Sequence, residues 1–132
     1  MADFSQTLRI THTGSNTSSL SGTITRTGNG TDERNITVPA TTANVEIDID
    51  FTYASLVLVF IEADQDMTLY TNAASGGSPD NTIALSANVP KVYASSANYT
   101  NLFTANVTKM YVSNAGATDG TLYIRLLRDA TP

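Results

Sequence analysis

Apolar and polar residues alternate in short segments along most of the chain, and turn-forming residues separate these segments. The clearest alternation lies between Asn44 and Phe51, where every second residue is apolar and acidic residues occupy positions between them. Alternation of this kind predicts a β-strand with one face in a core and one face in water. Further segments with a period of two lie at residues 4–12, 20–25, 36–38, 83–89, 106–113 and 121–128.

These segments predict an all-β fold. No stretch has the length and period of an ordinary helix, so we expect about eight to ten short strands. The 132 residues leave room for one core, and no linker divides them. We predict a single domain over residues 1–132, a β-sandwich of the jelly-roll or Ig-like type. Residues 1–6 are predicted to form an extended N-terminal arm that reaches a neighbouring molecule.

Two segments break the alternation and predict strands that are covered on both faces. Residues 56–61 are apolar without interruption, and residues 122–127 are apolar except for one tyrosine and one arginine. A strand of this composition needs cover on both sides, whereas a small sandwich has one core. The second cover comes either from the loops at residues 72–80 and 95–104 or from another subunit.

The subunit alternative identifies candidate contact residues. Burying one large apolar side chain stabilises a structure by roughly 1.5–3 kcal/mol, and leaving several exposed creates an adhesive patch. A symmetric oligomer would cover such a patch and the sheet edges together. The residues predicted to form buried subunit contacts are Val57, Val59, Ile61, Tyr123 and Leu127.

Charge and composition argue against several classes of partner. The net charge is −5, and the only lysines are Lys91 and Lys109, so no basic stripe is available to bind nucleic acid. The chain has no cysteine, which excludes disulfides and thiolate metal sites. The longest apolar run is too short to span a bilayer, and the first residues lack the features of a signal peptide. We therefore expect no membrane association and synthesis in the cytoplasm.

The sequence predicts no enzymatic activity, catalytic residue or cofactor. His12 is the only histidine, and the Gly-x-Ser-x-Gly pattern of many serine hydrolases is absent. A small hydrolase would have to use pairs of carboxylates such as Asp48 and Asp50. That alternative ranks last because no nucleophile motif accompanies the pairs.

Four aspartates are candidate calcium ligands, although no metal site is predicted. Asp48 and Asp50 alternate on one strand, and Asp64 and Asp66 flank a turn. Each pair could share a calcium ion if a loop supplied carbonyl oxygens. Neither lies in an EF-hand loop or a Gly-Gly-x-Gly-x-Asp repeat, so an acidic solvent face and a turn explain them better.

Tyrosine supports an alternative function, that of a carbohydrate-binding β-sandwich module. An exposed cluster of aromatic rings could form a platform for a sugar, although tyrosine is also common at strand ends and protein interfaces. The chain has no tryptophan, and its tyrosines are Tyr53, Tyr70, Tyr93, Tyr99, Tyr111 and Tyr123.

The C-terminal part resembles a known group of proteins. Residues 106–129 read NVTKMYVSNAGATDGTLYIRLLRD, in which a strand ends in Val-Ser-Asn, a turn of small residues follows, and a final strand closes the segment. Residues 81–90, NTIALSANVP, precede it. This pattern is similar to that of small all-β virion proteins of tailed bacteriophages, in particular capsid decoration (cement) proteins.

The resemblance implies a structural function. Decoration proteins bind the outside of an assembled phage head, commonly as homotrimers at three-fold positions, and stabilise the lattice of the major capsid protein. It therefore implies a virion protein on the capsid surface, made in the host cytoplasm, whose partner is the major capsid protein. Its mechanism is mechanical: many weak contacts are repeated over a lattice. The resemblance carries no catalytic residues, and for the alternative function it implies a carbohydrate-binding β-sandwich module of a phage tail or fibre.

Overall fold

A computed structural model describes residues 4–14 and 20–129. Its regular structure within these ranges is almost entirely β, as predicted, with a single 3₁₀ turn at Tyr53–Ser55 and no helix that could cross a membrane. The strands are β1 (Phe4–His12), β2 (Leu20–Gly28), β3 (Gly30–Val38), β4 (Thr42–Ile47), β5 (Leu56–Ala63), β6 (Met67–Thr71), β7 (Thr82–Leu85), β8 (Lys91–Ala94), β9 (Met110–Asn114) and β10 (Gly120–Arg128).

Eight strands form a sandwich of two four-stranded antiparallel sheets. The strand orders are β3-β10-β5-β8 in the first sheet and β4-β9-β6-β7 in the second. The hydrogen-bonded pairs are nested: β6 pairs with β7, β5 with β8, β4 with β9, and β3 with β10. Eight strands wound in this way form a jelly roll, whereas an Ig-like sandwich has a different strand order. The structure thus confirms the β-sandwich and selects the jelly roll.

The main core lies between the two sheets. Alternate residues of the central strands β5 and β10 point into it, and Val59, Ile61 and Ile124 have no exposed surface. Phe51 and Phe103 also belong to this core, and their rings pack edge to face with centroids 5.1 Å apart.

Strands β1 and β2 form a separate antiparallel hairpin that packs on the outer face of the first sheet. Leu8 of β1 is buried against Leu58 of β5 and Leu127 of β10, in a second, smaller core. This hairpin supplies the second cover that the apolar strands β5 and β10 require. The covering element is therefore neither of the predicted ones, which are the long loops and another subunit.

Three of the five predicted subunit contacts need correction. Val59 and Ile61 point into the main core, Leu127 lies in the smaller core, and none of the three has exposed surface. In this fold they cannot contact another subunit, because the chain itself already covers them. Val57 and Tyr123 are half-buried, so their place at an interface stays a prediction.

The predicted N-terminal arm also needs correction. Residues 1–3 lie outside the described part of the chain, but Phe4 pairs with Gly28 and Gln6 with Arg26 in the β1–β2 ladder. Phe4 to Gln6 are therefore part of the hairpin. The sequence predicts a hairpin tip or an open loop at residues 28–32, but β3 already begins at Gly30, so the corner at which β2 passes into β3 is confined to Gly28 to Gly30.

Candidate functional site

The β1–β2 hairpin has one apolar and one polar face. The ladder pairs Leu8 with Ile24 and Ile10 with Gly22, and directly opposed residues share a face of the sheet. The residues between them are serine, threonine and Arg9, and the Thr7 and Thr25 hydroxyl oxygens lie 3.0 Å apart. The apolar face is turned toward the sandwich, as the packing of Leu8 shows.

Only part of this apolar face is covered. Leu8 is 5% exposed, whereas Ile10 is 43% and Leu20 is 69% exposed. We call the uncovered end of the hairpin the overhang and define it as Ile10, His12, Leu20 and Gly22, two adjacent cross-strand pairs. Together with Tyr99 these residues line a cavity of about 320 Å³. The overhang is an apolar surface that residues 4–14 and 20–129 leave open to solvent.

Three contacts hold the hairpin to the sandwich. The Arg26 guanidinium donates from Nε to the Ser95 carbonyl oxygen at 2.9 Å. The Asn29 backbone N–H donates to the Arg128 carbonyl oxygen at 2.9 Å. Gly28 lies against the same carbonyl, so closely that an added Cβ atom would come within 2.3 Å of its oxygen. These contacts fix the direction in which the overhang projects.

A second surface lies between the hairpin and the uncovered part of the first sheet. Arg125 of β10 is opposite Phe60 of β5, and Tyr123 is opposite Glu62. Two cavities, of about 260 and 390 Å³, meet at Phe60 and Arg125. We call this combined surface the cleft; it is bordered by β1 on one side and by the β7–β8 loop with Asn88 on the other.

Backbone hydrogen bonds fix the far border of the cleft. The Asn88 N–H donates to the Ala63 carbonyl at 2.7 Å, and Asn88 has a left-handed backbone with φ of 61°. Asp64 Oδ1 accepts from the Thr121 N–H at 2.7 Å, and Asp66 Oδ1 accepts from the Ala87 N–H at 2.8 Å. Two of the four calcium candidates therefore hold the loops around the cleft.

The carboxylates do not gather into a metal centre in the described ranges. No group of three or more histidine, aspartate or glutamate side chains there could hold a metal ion. Asp48 and Asp50 are exposed on the chain that follows β4. Next to them, Lys109 Nζ lies 3.0 Å from Glu46 Oε1, and this hydrogen bond and the Glu46 charge raise the pKa of Lys109 above its usual 10.5.

The predicted tyrosine platform is not one surface. Tyr70 and Tyr111 are cross-strand neighbours on the outer face of the second sheet, and Tyr93 packs against the main core. Tyr123 alone among these lines the cleft. His12 lies in the exposed overhang opposite Leu20, at the end of its strand as the sequence pattern predicts.

Sequence reasoning names Tyr123 of the cleft but does not identify the other residues that make these two surfaces. The alternation predicts the correct strand faces for Ile10 and Leu20, but their exposure depends on where the sheet beneath them ends. Phe60 and Arg125 become neighbours only through the register of β5 and β10. Comparison of the chain with protein-family models, curated proteins and solved structures found no match.

Proposed function

We propose that this chain is a virion structural protein, a decoration protein that binds the outer surface of a tailed-phage head and stabilises the major capsid lattice. It is made in the host cytoplasm and acts as a homotrimer on the capsid surface. The observation that carries the proposal is the overhang, an apolar surface on a hairpin anchored to the sandwich, which the described part of the chain does not cover.

The energetics of the hairpin favour a role in assembly. A two-stranded hairpin is marginally stable in water without further packing. The packing of Leu8 and Ile24 and the Arg26 hydrogen bond lie toward one end of the hairpin, yet the other end also keeps Ile10 and Leu20 on its inward face. Burying each of these side chains on a partner would contribute roughly 1.5–3 kcal/mol. A partner surface that fits this face would therefore stabilise both the complex and the hairpin.

Repetition makes such a small contact sufficient. One overhang gives a modest affinity, but three copies in a trimer bind neighbouring sites at a high effective concentration. Jelly rolls occur among viral capsid domains and also among lectins, so the fold alone does not select the function. The overhang, the acidic net charge and the resemblance of the C-terminal strands together support the virion assignment.

The direct test is binding to undecorated, expanded heads assembled from the major capsid protein of the same virus. We expect saturable binding of the purified chain and a higher melting temperature of the decorated heads. The double variant Ile10→Ser, Leu20→Ser should remain folded and lose most of this binding. Val89→Ser is the matched control, because Val89 is also a large exposed apolar residue, 53% exposed, but lies outside the hairpin.

Two outcomes would overturn the proposal. Absence of saturable binding by the unaltered chain would remove the decoration function, and equal loss of binding in the control would remove the overhang as the contact.

Light scattering tests the trimer separately: we expect about 42 kDa for three chains of 14.0 kDa. A mass of 14.0 kDa at high concentration would contradict the trimer.

A further inference from the structure

We propose that the cleft is a binding site for a neutral oligosaccharide. This inference goes beyond the decoration function and does not depend on it, because a capsid protein and a free binding module could both carry such a site. It rests on the aromatic floor of the cleft, on the solvent-facing donors and acceptors at its border, and on its size.

The floor combines aromatic rings with a charged planar group. Phe60 and Tyr123 are half-buried, and Arg125 lies beside both of them in the β5–β10 ladder. Ligand sites typically combine apolar and aromatic walls with a few placed polar groups. A sugar ring has C–H faces that pack on aromatic side chains and an edge of hydroxyls that needs donors and acceptors.

Polar groups of the cleft that face solvent are available to a ligand. Arg125 Nη1 donates to the carbonyl oxygens of Arg34 at 3.1 Å and Ile124 at 3.0 Å, which fixes the guanidinium. Its Nε and Nη2 donors have no partner among the described residues. The Glu62 carboxylate and the Asn88 side-chain amide likewise make no hydrogen bond within that part of the chain. Donors and acceptors thus border the same hollow, as hydroxyl groups require.

The charge distribution favours a neutral ligand. Glu33, Glu62 and Asp64 surround the single cation Arg125 along the two cavities. An acidic sugar or a nucleic acid would meet three carboxylates for each guanidinium, within a chain of net charge −5. A neutral polyol avoids this repulsion and can still accept from Arg125 and donate to Glu62.

The backbone around the cleft favours a sugar over an extended peptide. The floor is the face of a sheet whose central strands β5 and β10 are each paired on both sides. A peptide that adds as a strand needs the free N–H and C=O groups of an edge. The two cavities of about 260 and 390 Å³ fall, when joined, within the usual size of a small-ligand site.

The test begins with the unaltered full chain on an array of neutral and acidic glycans, followed by titration calorimetry with the best neutral oligosaccharide. Tyr123→Ala should weaken binding by about tenfold or more, because the ring and its hydroxyl are lost together. The matched control is Tyr111→Ala, which removes another half-buried tyrosine from a central strand, but on the opposite sheet. It should leave the affinity within about twofold.

Two milder variants keep the test valid if Tyr123→Ala fails to fold. Asn88→Gly deletes the side-chain amide and tolerates the left-handed backbone at that position. Arg125→Gln removes the charge and shortens the donor group. Each should weaken the binding of the same oligosaccharide, with an unchanged melting temperature for Asn88→Gly.

Three results would overturn the inference. One is an array on which no neutral glycan is retained above background. Another is binding that survives Tyr123→Ala and Asn88→Gly, which would place the sugar elsewhere. The last is capture of linear peptides in place of glycans in a parallel peptide array. Because head binding is measured separately with Ile10 and Leu20 variants, failure of the cleft and failure of the decoration function are distinguishable.

Discussion

The Arg26 guanidinium on β2 donates from both Nε and Nη2 to the carbonyl oxygen of Ser95, the residue that follows β8. The Nε–O distance is 2.9 Å, and the contact is partly buried. Because Ser95 N in turn donates to the Val57 carbonyl at 3.0 Å, one short chain of hydrogen bonds joins the hairpin, the loop after β8 and the central strand β5.

Arg26→Ala should loosen the hairpin without unfolding the jelly roll. A hydrogen bond from a charged donor contributes about 1.5–3 kcal/mol when buried, so a partly exposed one should contribute about 1 kcal/mol. Native-state hydrogen exchange should show faster exchange of the β1 and β2 amides and unchanged exchange in β9. Arg9→Ala is the control, since Arg9 is exposed on the polar face of the same hairpin. Equal protection of the hairpin in wild type and Arg26→Ala would contradict this role.

Gly28→Ala should be strongly destabilising, because the new Cβ would lie 2.3 Å from the backbone oxygen of Arg128. Main-chain atoms cannot move aside as a flexible side chain can, so we expect a cost of about 2 kcal/mol or more in urea denaturation. Gly22→Ala, on the same strand, has no atom within 4 Å of its new Cβ and should be neutral or slightly stabilising. Similar stabilities of the two variants would show that the corner can relax.

The sequence pattern predicts the strands and their faces better than the way they assemble. Period-two segments place Leu8 and Ile10 on one face of β1, and the structure agrees. Local alternation reports only whether a face is buried, however, not what buries it. The unbroken run at residues 56–61 correctly indicates cover on both faces. It does not indicate that the covering element is the hairpin of residues 4–12 and 20–28.

The candidate sites are less predictable because they are made by long-range register. Val59 and Ile61 are apolar residues that the sequence analysis assigns to a subunit interface. In the structure they are buried in the core of the chain itself. The cleft depends on Arg125 standing opposite Phe60, and no local pattern specifies the register of strands so far apart in sequence. As a glycine, Gly28 indicates a turn. The structure requires glycine there for another reason, because the Arg128 backbone approaches too closely to leave room for a side chain.

Asn114→Ala should lower the free energy of unfolding, because the buried Asn114 side chain makes three hydrogen bonds to the backbone. Asn114 has no exposed surface; its Nδ2 donates to the Val38 and Thr118 carbonyls at 3.2 and 2.9 Å, and its Oδ1 accepts from the Gly116 N–H at 3.0 Å. Deleting the amide removes all three hydrogen bonds of a fully buried side chain, at a cost of about 2–3 kcal/mol in the free energy of unfolding. The exposed Asn35→Ala should change it by less than about 0.5 kcal/mol. Equal effects in chemical denaturation would argue against the network.

The ion pair between Lys109 and Glu46 predicts that the stability of the fold depends on pH in the alkaline range. The hydrogen bond to Glu46, followed by its charge, raises the pKa of Lys109 above 10.5 in the folded chain. A raised pKa stabilises the fold at pH values below 10.5, and this contribution is lost as pH rises through the folded-state value. Glu46→Gln should move the Lys109 titration, followed by NMR, back toward 10.5. High salt should reduce the effect because the pair is exposed. A Lys109 curve that shifts equally in the control Glu62→Gln would show that Glu46 is not the cause.

Leu8 and Ile10 separate the structural role of the hairpin from its proposed role in assembly, because they lie two residues apart on one face of one strand. Leu8 is 5% exposed beneath the hairpin, and Leu8→Ala should cost about 2–4 kcal/mol by opening a cavity against Leu58 and Leu127. Ile10 is 43% exposed, so Ile10→Ala should cost less than about 1 kcal/mol in the isolated chain. In head binding the order should reverse under solution conditions where both variants are folded, since Ile10 is exposed to a partner and Leu8 is not. Comparable destabilisation of the isolated chain by both substitutions would mean that the overhang is already covered, and the assembly function would then lose its main support.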